Sequence, residues 1–124
     1  MECIHISIGE LWDKHTILMI KKEKITDSTK LHCVLYELDV LNKSMEKYDY
    51  LCSTLYLDLK CINEQLWNIE DTIRIKELHK EFDTNFIELA RSVYIMNDKR
   101  AICKQKINIE FGSSIQEVKE YVHY

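Results

Sequence analysis

The chain has 124 residues, 46% hydrophobic and 31% charged, which is the balance of one folded domain and excludes a disordered tail. Its 17 basic and 21 acidic side chains give a net charge of −4 with no basic block, which argues against general nucleic-acid binding. There is no proline and there are only two glycines, so long helices are expected throughout 1–124, as a single helical domain.

In chain order, Ile4, Ile6 and Ile8 alternate with polar residues and suggest a short extended arm. Ser7-Ile-Gly-Glu10 then has capping-box spacing and should open the first helix, with Leu11, Trp12, His15, Leu18 and Met19 at helical intervals. A polar turn over 25–29 separates it from the most regular pattern in the chain. Leu31, Val34, Leu38, Leu41, Met45, Tyr48, Cys52, Leu55, Leu59, Ile62, Leu66, Ile69 and Ile73 are spaced by three and four, as in a coiled-coil seam. Unbroken, it would span roughly 65 Å, more than a small domain is wide. A break is expected within 48–54, with Asp49, Ser53 or Thr54 capping a helix that returns antiparallel. Asp83 or Thr84 should start the next helix, and Gly112 should close it. Ser114-Ile-Gln-Glu117 repeats the capping-box spacing and predicts a short terminal helix. The expected architecture is all-α: an antiparallel bundle of four main helices plus that short C-terminal one. A seam this regular offers more apolar face than one copy can cover, so a homodimer is expected.

No stretch is long and apolar enough to span a bilayer, and the start lacks the basic and apolar regions of a signal peptide, so a cytoplasmic location without membrane contact is expected. Five cysteines, an odd number with no C-x-x-C pair, fit reduced thiols in that compartment. The five histidines form no H-x-x-x-H or Cys/His ligand pair, so no metal site is expected from them.

Polar residues concentrate in two places. Asn63, Trp67, Glu70 and Arg74, with Asp71 adjacent, share one stripe of the third helix. On the fourth helix Arg91, Tyr94, Asn97, Asp98, Arg100 and Lys104 accumulate where the core-facing spacing turns from apolar to polar. One reading is a buried network in which Glu70 or Asp71 pairs with Arg91 or Arg100, and Arg74 with Asp98. Another is a cleft whose arginines and lysine hold a small anionic ligand, with Trp67 and Tyr94 as stacking surfaces and Asn63 and Asn97 as orienting amides. Under a catalytic alternative, Glu70, Asp71 and Asp98 would hold Mg²⁺, with Arg91, Arg100 and Lys104 on the phosphate of a nucleotide or sugar phosphate. Glu10 with Asp13 is a further carboxylate pair. No phosphate-binding glycine loop, nucleophile elbow or zinc signature accompanies them. The expectation is therefore a binding or interaction module with no cofactor.

Three segments also carry a resemblance. Ser7-Ile-Gly-Glu-Leu-Trp-Asp-Lys-His-Thr-Ile-Leu18, Asn63-Glu-Gln-Leu-Trp-Asn-Ile-Glu-Asp-Thr-Ile-Arg74 and the run from Phe86 to Asn108, which includes Leu-Ala-Arg91-Ser-Val-Tyr94 and Asn97-Asp-Lys-Arg100, look like the signature blocks of a family of small bacterial proteins classed as a domain of unknown function. Members of that family are often associated with polysaccharide and glycosyltransferase genes, which implies a role near glycan or nucleotide-sugar metabolism. The family's tail resembles Ser-x-x-x-Glu-Glu-Lys-Ser-Tyr, whereas this chain reads Ile115-Gln-Glu-Val-Lys-Glu-Tyr121. From Leu31 to Cys61 the likeness is one of helical pattern. Abundant Ile, Lys, Asn and Tyr suit an AT-rich genome such as that of a large DNA virus.

Overall fold

The computed structural model describes all 124 residues and contains four α-helices and no strand. These are α1 (Ile8–Lys24), α2 (Ser28–Met45), α3 (Thr54–Leu78) and α4 (Thr84–Glu110), with a 3-10 turn at Tyr50–Cys52. No helix is long and apolar enough to cross a membrane.

Each boundary has a local cause. The Ser7 hydroxyl accepts from the Glu10 amide at 3.0 Å, so the first half of the capping box forms. Its second half does not, because the Glu10 carboxylate turns to Lys104 instead, 2.6 Å away. Asp27 caps α2 and Asp83 caps α4, each accepting a backbone N–H at 2.9 Å. The seam breaks between Met45 and Thr54, where Ser53 precedes the first turn of α3. Residues 1–7 belong to no helix or strand, and Ile8 of the expected arm is already helical.

The fourth helix ends in a Schellman motif. The Ser113 amide donates to the Asn108 carbonyl and the Gly112 amide to the Ile109 carbonyl, with Gly112 at φ +68°. After it the expected terminal helix is absent: residues 115–124 have no helical turn. A helix of about ten residues needs tertiary packing to persist. Here Ile115, Val118 and Val122 face outward, and Glu117, which would complete the capping box, is engaged by Ser7 and Asn108.

Helix α1 is the hub, packing against α2, α3 and α4, while α3 and α4 lie against each other. The Cys103 thiol, late in α4, meets the Leu55 carbonyl in the first turn of α3. At the other end, Lys76 of α3 binds Glu81 and Asp83 in the connecting turn. Most of the α2 seam turns to α1, with Val34 and Leu38 on Leu18; only at its end does Met45 share a core with Leu59 of the α3 seam. The main core gathers Leu11, Trp12, Met45, Tyr56, Leu59, Cys103 and Ile107. Trp12 is fully buried among Tyr48, Tyr56 and Phe111, with ring centroids 4.7–5.9 Å away. Gly9 permits the closest approach: a Cβ there would stand 2.5 Å from the Lys104 carbonyl oxygen and 2.9 Å from Asn108 Oδ1. All five cysteines are free thiols. Burial pushes the Cys103 thiol up to about 11, so it is a packing group, not a nucleophile.

Candidate functional site

The site is organised from α1, beginning with the Asp13 carboxylate of the Glu10–Asp13 pair. Asp13 is 2% exposed and sits where α1 passes between α3 and α4. Its Oδ1 accepts from Asn63 Nδ2 at 2.9 Å and pairs with Arg100 Nε at 3.4 Å. Its Oδ2 lies 3.8 Å from Lys104 Nζ, which also binds Glu10 at 2.6 Å. Asn63 Nδ2 reaches Thr16 Oγ1 as well, at 2.8 Å, and that hydroxyl donates back to the Asp13 carbonyl. A buried carboxylate is tolerated only when its charge and lone pairs are met, and these contacts meet them. Asp13 is thereby a buried counter-charge for Arg100.

The guanidinium uses only Nε in this pair; its terminal nitrogens make no hydrogen bond or ion pair within the chain. Its side chain is 32% exposed and lines a cleft of about 300 Å³ between α1, α3 and α4. Asn63, Trp67, Glu70, Asp71 and Asn97 share that cleft, over an apolar floor of Ile17, Ile20 and Leu66. Six of the eleven residues expected at the site are therefore brought together.

The other five are placed elsewhere. Arg74 is exposed and pairs with Glu70 one turn back at 3.3 Å. Arg91 is exposed and binds Glu88 at 3.0 Å, and its guanidinium pKa is raised by the Tyr94 hydroxyl and by Glu88. Lys104 is spent on Glu10 and Asp13. Tyr94 and Asp98 line a separate groove facing the tail, where Asp98 accepts from the Tyr124 hydroxyl. Trp67 and Tyr94 thus do not share one space; Asn97 is the residue common to both cavities. The expected pairings of Glu70 or Asp71 with Arg91 or Arg100, and of Arg74 with Asp98, are replaced by ones in which Arg100 turns to α1 and the others to their own helices. The reason is geometric: α1 inserts a buried carboxylate between the two stripes. Nor are the three carboxylates of the Mg²⁺ arrangement assembled, since Asp98 lies on the tail side. Glu10 and Asp13 are met by Lys104 and Arg100 of the chain itself.

A second buried polar group adjoins the first. His15 is fully buried, with Nδ1 2.7 Å from the Tyr56 hydroxyl and Nε2 2.8 Å from Asn42 Oδ1. An amide oxygen only accepts, so Nε2 carries the hydrogen and Nδ1 takes the one from Tyr56. Burial lowers the His15 pKa against the raising effect of Asn42, and burial raises that of Tyr56, so both stay neutral. At the start of α1, Gly9 donates to Asn108 Oδ1 at 2.6 Å, while Asn108 Nδ2 and the Ser7 hydroxyl bind Glu117 of the tail. Burial works against ionisation of Glu117, but Ser7, its own amide, Asn108 and the charge of Lys104 together lower its pKa.

The sequence held two signals for Asp13: its pairing with Glu10 three residues back, and its place with Gly9 and Thr16 on a small and polar stripe at helical spacing. Asn42 and Tyr56 left none, because their partner His15 is 27 and 41 residues away, and the Ser7 partner of Glu117 is 110 away. Compared with known proteins, the chain matches no family model, no curated protein and no solved structure.

Proposed function

We propose that this chain is a non-catalytic binding module, an antiparallel helical bundle whose α1–α3–α4 cleft takes a small anionic ligand bearing a sugar. The observation that carries this reading is Arg100, paired through Nε with the buried Asp13 and unpartnered at its outer edge inside the cleft. A guanidinium held this way offers a preorganised fork for a carboxylate or phosphate. Trp67 supplies a flat apolar wall for a sugar face, and Asn63, Asn97, Glu70 and Asp71 supply donors and acceptors for hydroxyls. The resemblance of three segments to proteins associated with glycan-related genes supports the same ligand class. A cytoplasmic role in glycan or nucleotide-sugar metabolism, in a bacterial or viral setting, follows as part of the proposal.

A homodimer belongs to it too, supported by Ile75, Leu78, Phe82 and Ile87, each more than half exposed near the α3–α4 turn. Light scattering should then show twice the chain mass at micromolar concentration, and a monomer there rejects the dimer.

The competing reading is a Mg²⁺-dependent enzyme acting on a nucleotide or sugar phosphate, favoured by the presence of Glu70 and Asp71 beside Arg100 in one cleft. Thermal-shift titration with sugar phosphates and nucleotide sugars, with and without Mg²⁺, separates the two. Stabilisation without metal that disappears in Arg100→Gln and Trp67→Ala supports the binding module. Stabilisation only with Mg²⁺ transfers the site to the enzyme reading, and no stabilisation by any of these ligands rejects both.

A further inference from the structure

Beyond α4 the tail runs back along the helix and is pinned at two points. Glu117 is held by Ser7 and Asn108, and Tyr124 reaches Asp98 with its hydroxyl. The Tyr124 ring meets Tyr94 edge-on, with centroids 5.1 Å apart and planes at 78°. Between the pins the tail stands off the helix and leaves a groove of about 680 Å³, lined by Tyr94, Asn97 and Asp98 of α4 and by Lys119, Tyr121 and Tyr124 of the tail.

The chemistry of these walls is specific. Two rings at near right angles cannot sandwich a flat group; their edge-to-face contact leaves one whole face and the uncovered part of the other at a corner, which suits a compact cation. Asp98 stands at that corner as an acceptor with a full charge. A third ring, Tyr121, already carries an ammonium: Lys119 Nζ lies 5.9 Å from its centroid, so the chain's own lysine shows what the wall attracts. The nearby cation on α4, Arg91, pairs with Glu88 and turns to the hydroxyl end of Tyr94. We propose that this groove binds a small organic ammonium, such as a quaternary or methylated amine, with Tyr94, Tyr121 and Tyr124 as its π walls and Asp98 as its counter-charge. Methyl groups match the ring faces, whereas a small metal cation holds its water too tightly to gain as much. On binding, Lys119 yields its place on Tyr121 and turns to solvent. The groove is distinct from the Arg100 cleft and shares only Asn97 with it.

Titrating the full chain with tetramethylammonium chloride at constant ionic strength, followed by tyrosine ring resonances, tests the proposal. Saturable shifts are expected, with affinity roughly tenfold above that of 2,2-dimethylpropanol, a neutral molecule of nearly the same shape with one added hydroxyl, since one cation–π contact of about 1.4 kcal/mol is tenfold. Asp98→Asn and Tyr94→Ala should each weaken binding several-fold or more, and Lys119→Ala should strengthen it. Tyr121→Ala, on the tail, replaces Tyr94→Ala if the latter loses helical circular dichroism. Trp67→Ala in the cleft should leave the affinity unchanged, which separates this groove from the cleft reading. Absence of saturation, equal affinity for the neutral isostere, or loss on Trp67→Ala overturns the proposal.

Discussion

The two halves of the α3–α4 hairpin are built on similar helical sequence and end in different physical states. In the half that α1 reaches, Tyr56, Leu59, Asn63 and Leu66 of α3 and Met96, Cys103, Ile107 and Asn108 of α4 are buried. From Trp67 to Ile95, beyond α1, no residue is buried, although Ile69, Ile73, Ile75, Phe86, Ile87 and Val93 continue the apolar pattern. Two helices alone bury one stripe each; a third element is needed to close a core. The near half is accordingly held by a packed core and buried polar contacts, the far half by surface pairs such as Arg74–Glu70 and Arg91–Glu88, which contribute little. The candidate cleft lies at the border, with Asn63 and Leu66 on the buried side and Trp67, Glu70 and Asp71 on the open one.

The sharpest way to break this contrast is Asp13→Ala. It leaves Arg100 without its buried counter-charge, Lys104 with Glu10 alone, and Asn63 with Thr16 as its one remaining acceptor. Removing one partner of such a group costs about 3–5 kcal/mol, so urea denaturation should show a large loss of stability and hydrogen exchange should quicken in all of α1, α3 and α4. A change below 1 kcal/mol would mean that the near half does not depend on this network. Next in size is Gly9→Ala, where the added methyl meets backbone at 2.5 Å and α1 has to move away from Lys104 and Asn108. A loss of about 1–3 kcal/mol is expected, with the Glu117 contact weakened because Asn108 shifts.

How much of this was legible before the fold was known differs between the same two halves. The four helices, their caps at Ser7 and Asp83, the break near residue 50 and the glycine stop at 112 follow from local chemistry, and local chemistry is written contiguously. Of the expected stripe of Asn63, Trp67, Glu70 and Arg74, with Asp71 adjacent, all but Arg74 line the cleft, and they were legible for the same reason. The partner of Arg100 was not, because it depends on which helix is wedged between α3 and α4. The regular seam invited a pairing of α2 with α3, whereas α1 takes that place and α2 packs on its outside. The terminal helix failed on competition: Ser114 and Glu117 have the right spacing, but Glu117 has better partners in Ser7 and Asn108.

The pH dependence sharpens the comparison next. His15 belongs to the near half, and burial depresses its folded-state pKa below the ordinary 6.5. The unfolded chain therefore binds a proton more readily, and stability is complete above pH 6.5 and falls as pH drops below it towards the folded-state value. Denaturation midpoints measured between pH 8 and 5 should decline on the acid side. His15→Gln, which cannot ionise, should flatten that decline while lowering stability throughout. An unchanged decline in the variant would place its origin outside this group.

The smallest effect belongs to the far half and has the opposite sign. Lys80, which follows the C-cap of α3, sits at φ +55°, with the Glu81 amide donating to Lys76 and the Lys80 amide to Glu77. This is the same Schellman geometry that Gly112 gives α4, adopted here by a residue whose Cβ opposes it. The side chain of Lys80 is largely exposed and holds only a surface pair with Glu77, so removing it costs little. Lys80→Gly should stabilise the chain by about 0.5–1 kcal/mol. If opening of the far half is local, the gain should be read mainly in hydrogen exchange of the turn and of the helix ends beside it, with a smaller shift of the global midpoint. A gain equal at every amide would instead mean that both halves unfold as one unit, and that α1 shelters the whole hairpin and not only the part it touches.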